Sequence, residues 1–306
     1  MSKLAVQALP SSLADARRLA SRLNLPVGEI ALHRFPDGEL RVTVAPAAST
    51  TIIYASLDQP NEKLIAVLFA AEALRRDGAT RLVLLAPYLC YMRQDAAFHP
   101  GEAISQRAVG RLLAATVDRV ITVDAHLHRT RDIRDVFAGI EADNLSAMPA
   151  IADALLKQRM DPSTVIVGPD AESRPWVSDL AGRLGLAYTV ARKTRHGDRS
   201  VEVALVESIT VSRRPALLID DIVSSGGTLI SAAKALRAAG ATDIDAVITH
   251  ALFPPAMTAA FAEAGVRSVR STCSVPHPTN GITLDDVLAG ALAGEISDSH
   301  SPEANG

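Results

Sequence analysis

Two successive aspartates, Asp220 and Asp221, stand between the apolar run PALLI and a stretch of small residues, Ser224, Ser225, Gly226, Gly227 and Thr228. Backbone N–H groups and hydroxyls of such a stretch, at the positive end of a following helix, are suited to wrapping an anion. Carboxylates at the end of a parallel strand sit where open α/β sheets bind ligands, and can accept hydrogen bonds from sugar hydroxyls. A sugar phosphate satisfies both halves of the pattern. Taken alone, SGGT reads more readily as an ordinary strand-to-helix turn, with serine as cap and glycine for backbone freedom; the adjacent acids shift the balance.

Four further polar constellations carry chemistry-bearing residues. HRFPDGELRVTV places Phe35, Asp37 and Glu39 around a Pro-Asp-Gly turn between two strands, which is also the composition of a plain acidic hairpin. Arg93, Gln94 and Asp95 follow an apolar strand; an arginine there can pair with phosphate and a glutamine can read a base edge, whereas a solvated loop is the simpler reading. VDAHLHRTRD sets Asp124, His126 and His128 at a strand end, a pattern open to metal ligation or to plain capping. ARKTRHGDRSVEVALV groups Arg192, Lys193, Arg195, His196 and Arg199 in a loop or hairpin before a strand, which in isolation is a basic solvated turn.

The elements that must position these residues are legible in the hydrophobic periodicity. Short β-rich runs (RLVLLAPY, RVITVDAH, STVIVGPD, PALLIDDI, DIDAVITHAL) alternate with segments of helical period (ISQRAVGRLLAATV, RPWVSDLAGRLG, GTLISAAKALRAAG). That alternation predicts an α/β protein with mostly parallel sheets flanked by helices. Asn61 is expected to cap the helix EKLIAVLFAAEALRRDG, with Gly78 just past its end and Gly240 closing the helix that starts after Gly227. A length of 306 residues favours two domains, and the polar, proline-containing stretch NLSAMPAIADALL marks the division. The expected organisation is a first domain over 1–146, a second over 147–293, and a disordered polar tail over 294–306.

Composition narrows the function classes. Aromatics are only 4% of the chain against 48% apolar residues overall, so aliphatic side chains must fill the core, as in helix-covered parallel sheets. A net charge of −3 gives no general pull toward nucleic acid or anionic membrane. Cys90 and Cys273, far apart and without a metal-ligand spacing, are expected to be buried small hydrophobes in a reducing cytoplasmic setting. No window approaches the roughly 18 uninterrupted apolar residues of a membrane span.

IDDIVSSGGT resembles the ribose-5-phosphate loop of the type I phosphoribosyltransferase fold. FPDGE, YMRQD, VDAH, VGPD and IDDIVSSGGT in this order resemble ribose-phosphate pyrophosphokinases, and RQDAAFHPGEAIS resembles the shorter archaeal-type members. The resemblance runs from about Lys3 to Leu292. It implies two related domains of that fold, the first carrying nucleotide loops. It implies that Phe35, Asp37, Glu39, Arg93, Gln94 and Asp95 bind ATP, and that Asp220, Asp221, Ser224, Ser225, Gly226, Gly227 and Thr228 bind ribose 5-phosphate. His126 and Asp170 are implied as ligands of Mg2+, and Lys193 and Arg195 as the catalytic cations of a flexible loop. Thr194, where many members carry arginine, and Glu172–Ser173, where many carry glycine, depart from the pattern. The implied reaction transfers the pyrophosphoryl group of ATP to the anomeric hydroxyl of ribose 5-phosphate, in a homodimer or higher homo-oligomer whose FPDGE-type loop reaches a neighbour's site. Two alternatives are a catalytically silent regulatory paralogue, expected to lose the loop cations or the histidine that this chain keeps, and a base phosphoribosyltransferase, which would need neither FPDGE nor RQD.

Overall fold

The computed structural model describes residues 3–127, 129–195, 201–205 and 210–300, with the side chains of 192–195, 201–205 and 298–300 excepted. The chain divides into two compact units, Met1–Ser146 with Asp285–Gly306, and Ala147–Leu284.

The first unit holds the strands Leu4–Ala8 (β1), Val27–Glu29 (β2), Ala31–Arg34 (β3), Leu40–Thr43 (β4), Thr50–Tyr54 (β5), Arg81–Ala86 (β6), Arg119–Val123 (β7) and Glu141–Leu145 (β8). Its helices are Leu13–Leu23 (α1), Pro60–Arg76 (α2), Ser105–Ala114 (α3) and the short Ile133–Val136 (α4). Six strands form a parallel sheet in the order β2-β1-β5-β6-β7-β8, and β3 and β4 form a separate antiparallel hairpin. Ile52, Ile53, Leu82–Leu85, Val120 and Ile121 are fully buried, as expected of strands covered on both faces.

The second unit holds Met148–Leu156 (α5), Val165–Gly168 (β9), Arg174–Leu184 (α6), Ala187–Arg195 (β10), Val201–Leu205 (β11), Ala216–Val223 (β12), Gly227–Ala238 (α7), Ile244–Ala251 (β13), Met257–Glu263 (α8), Val266–Thr272 (β14) and Asn280–Ile282 (β15). Its sheet runs β11-β10-β9-β12-β13-β14-β15, parallel except for the β10–β11 pair. In each unit the first strand lies inside the sheet, the second adds on one side, and the chain then crosses to build outward on the other. This shared winding makes the halves related, and it creates a switch point, between β1 and β5 in one unit and between β9 and β12 in the other.

Three sequence expectations are corrected. Residues beyond 284 belong to the first unit, and the expected tail from 294 is not structureless: Asp285–Ala291 (α9) and Ala293–His300 (α10) are helical. Arg18 bonds Asp285 at 3.2 Å, and Arg22 pairs with Asp286. Glu295, only 5% exposed, takes two bonds from Arg81 at 2.8 and 2.7 Å and one from Arg119 at 3.0 Å. Burial opposes its ionisation, but the two guanidinium groups outweigh that and hold its carboxyl below the ordinary range. A polar composition therefore concealed one acid with two waiting cations. Asn61, expected as a cap, lies inside α2; Pro60 occupies the helix start and moves the cap to Gln59, while the Asn61 amide oxygen accepts from the Tyr91 hydroxyl. Gly78 and Gly240 do take positive φ, 103° and 85°, just past their helices.

Replacing Glu295 by alanine leaves two partly buried arginines without their shared partner, and is expected to lower stability by about 3 kcal/mol. Urea denaturation of the full chain checks this; a loss below about 0.5 kcal/mol, the level of a surface pair, would contradict the clasp.

Candidate active site

In the second unit β12 is longer than its neighbour β9. Ala216–Leu218 pair with Val165–Val167, and β12 then continues past the end of β9 beside β13, carrying Asp220 and Asp221. The turn after β9 comes back toward them. Asp170 accepts hydrogen bonds from the N–H groups of Glu172 (3.1 Å) and Ser173 (3.2 Å), and the Ser173 hydroxyl donates to the Asp170 carbonyl at 2.6 Å. Gly168 is required for this fold-back, since a Cβ there would lie 1.9 Å from Ser173 Oγ. The departure Glu172–Ser173 thus builds a short 3-10 turn, Ala171–Ser173, capped by Asp170 itself.

Asp220 and Asp221 are both buried. Burial, then the charges of Asp221 and Asp170, raise the Asp220 carboxyl well above its ordinary range. Immediately after β12, Gly226 adopts φ 72°, ψ −7° at the N-cap of α7. A left-handed residue at that point aims the N–H groups of the first helical turn outward, where helices bind anions. Gly226 brings no capping side chain of its own, and α7 carries no acid in its first turn. Ser224 and Thr228 are half-buried, and Ser225 and Gly227 are exposed on the same turn. The structure therefore brings Asp170, Asp220, Asp221 and the residues 224–228 together at the switch point of this sheet.

Lys193 and Arg195 lie on the outer part of β10, opposite Val203 and Val201 of β11. β10 and β11 pair antiparallel there, and His196 and Arg199 lie outside the described residues.

In the first unit the predicted residues do not gather at the switch point. Phe35, Asp37 and Glu39 are at the tip of the β3–β4 hairpin. The Phe35 N–H donates to the Glu39 carbonyl at 2.8 Å, and the Asp37 carboxylate accepts from the Glu39 N–H at 3.1 Å. The Phe35 ring is 37% exposed, with His33 edge-on at 4.8 Å and the Arg41 guanidinium 6.0 Å from its centroid. It is an exposed ring held in place, which suits stacking on a planar ligand.

Arg93, Gln94 and Asp95 follow β6. Asp95 is engaged internally: it accepts from the backbone N–H of Arg129 at 3.1 Å and from its guanidinium at 2.8 Å. Burial works against its ionisation, but these bonds prevail and hold its carboxyl below the usual range. The Gln94 amide donates to the Ala96 carbonyl at 3.1 Å. Arg129, which also lies over the Phe98 ring at 5.2 Å, is a cation beside this segment that sequence reading passed over. With Asp95, Arg107, Arg111 and Arg131 it lines a groove of about 930 Å3. His126 is half-buried in the loop after β7, just past Asp124, whose φ of 39° marks a strained turn. The strain is supported from β8: the Asp124 N–H donates to the Leu145 carbonyl at 2.8 Å, and the Ala125 N–H to Asn144 Oδ1 at 2.8 Å. His128 lies outside the described residues. Cys90 and Cys273 are buried, and burial pushes the Cys90 thiol up to about 12, which leaves it unreactive.

Comparison with known proteins agrees with this division of features. Residues 4–116 match the family described as the N-terminal domain of ribose phosphate pyrophosphokinase, and residues 141–286 match the phosphoribosyl transferase domain family. The ribose-phosphate pyrophosphokinase of Methanopyrus kandleri is 34% identical over 278 residues, 90% of this chain and 94% of that one. Ribose-phosphate pyrophosphokinase 2 of Archaeoglobus fulgidus is 31% identical, covering 92% and 97%. The crystal structure of phosphoribosylpyrophosphate synthetase from Mycobacterium smegmatis superposes with a TM-score of 0.82 at 26% identity, covering 97% of this chain and 99% of that one. The two units are accordingly both of the phosphoribosyltransferase fold, each a mostly parallel sheet flanked by helices. The chain belongs to the ribose-phosphate pyrophosphokinase family.

The raised Asp220 carboxyl has a consequence for stability. Because the folded state binds this proton more tightly than the unfolded chain, its contribution is complete below the ordinary carboxyl range and is lost as pH rises toward the folded value. Asp220→Asn is therefore expected to unfold at a higher temperature than the parent in metal-free buffer, by a margin that grows as pH increases from about 4. Calorimetric scans across pH check the trend; a margin independent of pH would show that Asp220 ionises freely.

Proposed function

We propose that the second unit binds ribose 5-phosphate and the first unit the nucleotide, in the reaction of this family: transfer of the pyrophosphoryl group of ATP to the anomeric hydroxyl, giving 5-phosphoribosyl 1-pyrophosphate and AMP. The observation that carries the reading is the acid pair and anion turn at the switch point between β9 and β12. In this assignment the turn 224–228 holds the 5-phosphate through its N–H groups and hydroxyls. Asp220 and Asp221 accept from the ribose hydroxyls and so aim the anomeric oxygen. That oxygen bonds to the β-phosphorus, the bond from the β-phosphorus to the bridging oxygen breaks, the bridging oxygen leaves with AMP, and the hydroxyl proton is released. Lys193 and Arg195 stabilise the charge that builds on the transferring group and on departing AMP. Phe35 stacks on adenine, Asp37 and Glu39 accept from base or ribose, and Arg93 and Gln94 line the nucleotide. Asp95 acts by fixing Arg129, which adds a cation on the same side.

Mg2+ fits the donor set. Burial and the charges of Asp221 and Asp170 oppose ionisation of the Asp220 carboxyl, a crowding of carboxylates that a divalent ion would relieve. Among the described residues no group of three or more His, Cys, Asp or Glu is placed to hold a metal ion by itself. That suits an ion that takes one or two protein ligands and completes its shell with phosphate oxygens and water. We assign the Asp170 carboxylate of the second unit and the His126 imidazole of the first as residues that would each ligate Mg2+, which would supply neutralisation of phosphate charge.

We further assign the chain to a cytoplasmic homodimer or higher homo-oligomer, with the Phe35 hairpin serving a neighbouring subunit's site. Among the described residues no helix is long and apolar enough to cross a membrane.

Purified protein given ATP, Mg2+ and ribose 5-phosphate should form AMP and phosphoribosyl pyrophosphate in equal amounts. Formation of ADP, or no turnover across phosphate and metal concentrations, would overturn the assignment. Lys193→Ala should lower kcat by about 100- to 1,000-fold. It should leave calorimetric binding of ribose 5-phosphate within about twofold, since the lysine acts on the transition state. An equal collapse of binding would remove Lys193 from that role.

A further inference from the structure

The glycine at the centre of the anion turn does not hang free. A Cβ built on Gly226 would lie 2.7 and 2.9 Å from Cε1 and Cζ of Phe261, and 3.0 Å from Cε of Met257. The peptide backbone of the turn thus rests directly on an aromatic ring. Phe261, in α8, is fully buried, and it meets Phe253 edge to face with centroids 5.1 Å apart at 82°. Phe253 in turn meets the His277 ring at 4.4 Å and 61°. His277 is anchored at both nitrogens: Nδ1 accepts from the Thr279 N–H at 3.2 Å, which leaves Nε2–H to donate to the Phe253 carbonyl at 3.0 Å. The Leu252 N–H donates to the Val223 carbonyl at 2.9 Å, tying the segment that carries Phe253 to the end of β12.

These contacts form a continuous prop from His277 through Phe253 and Phe261 to Gly226. A flat, rigid ring sets the height of a glycine backbone more sharply than a branched aliphatic chain of similar volume, which can change rotamer. The φ of 72° at Gly226 is sterically permissive, so the turn's own sequence does little to fix it. The constraint must come from beneath.

We propose that Phe261, propped by Phe253 and His277, is a positioning residue for ribose 5-phosphate: it fixes the direction of the turn's N–H groups and thereby the affinity for the 5-phosphate. The proposal rests on the reading that this turn holds that phosphate. It predicts an effect on sugar-phosphate recognition that is separable from nucleotide binding and from the chemical step.

The test compares the full-length parent with Phe261→Leu, Gly226→Ala and the double variant, by steady-state kinetics and by direct calorimetric binding of ribose 5-phosphate. Phe261→Leu should raise KM for ribose 5-phosphate by about tenfold while kcat and KM for ATP change by less than about twofold. Gly226→Ala should raise the same KM, and the double variant by less than the product of the two single effects, because removing the ring relieves the clash with the new methyl. An unchanged KM for ribose 5-phosphate in Phe261→Leu, whatever its melting temperature, would reduce Phe261 to a core residue. Should that variant not fold, Phe253→Leu reads the same parameter one contact further away: a raised KM with kcat kept supports the prop, and an unchanged KM overturns it. If the parent itself binds no ribose 5-phosphate, the reading of the turn fails; if parent and variants bind it equally, only the role of Phe261 fails.

Discussion

A carboxylate withdrawn from water resists ionisation, and Asp220 is withdrawn next to two others. The second unit is arranged so that this unfavourable group stays where it is. β9 stops short, β12 runs on, and the Asp170 turn folds back over the vacated edge because Gly168 leaves room for the Ser173 hydroxyl. The same overrun delivers the chain into α7 with a left-handed glycine, so that a positive helix end opens directly beyond a negative cluster. A ligand with hydroxyls at one end and a phosphate at the other complements both, and a phosphate or hydroxyl alone complements only one. Local instability and ligand selectivity thus have a common origin in two strands of unequal length.

The two units share a winding order but use it differently. In the second, the candidate residues cluster at the switch point, the place that the reversal of strand order opens as a crevice. In the first, they sit on the loops after β6 and β7 and on a hairpin outside the main sheet. They comprise an exposed aromatic ring braced by His33 and Arg41, an acid holding an arginine, and a histidine after a strained turn, features that suit the nucleotide proposed for this unit. The C-terminal helices belong to this first unit, where Glu295 bonds arginines at the starts of β6 and β7. The clasp lies at the opposite ends of these strands from the loops that carry Arg93 and His126, so it stabilises the sheet without entering the site.

Much of this was readable from local pattern. Central strands such as LVLLA and PALLI are continuous apolar runs because both faces are covered, and the IDDIVSSGGT segment takes the strand, turn and helix that its residue types favour. What escaped were features set by distance in the chain. Nothing local tells that Glu295 has partners 214 and 176 residues away, or that Asp95 bonds an arginine 34 residues on. Asn61 was misplaced by a rule that is itself sound, because Pro60 starts the helix two residues earlier and Tyr91 claims the amide. The aromatic prop beneath Gly226 was equally hidden, being assembled from three separate segments.

Everything proposed for the second unit depends on the sugar phosphate binding at the turn after β12. Hydrogen exchange of the intact protein, with and without saturating ribose 5-phosphate, reads this at the residues concerned. Slowed exchange is expected to concentrate in peptides covering 220–228, with little change in the Phe35 hairpin when no nucleotide is present. Unchanged exchange at 220–228, with protection appearing elsewhere, would contradict it.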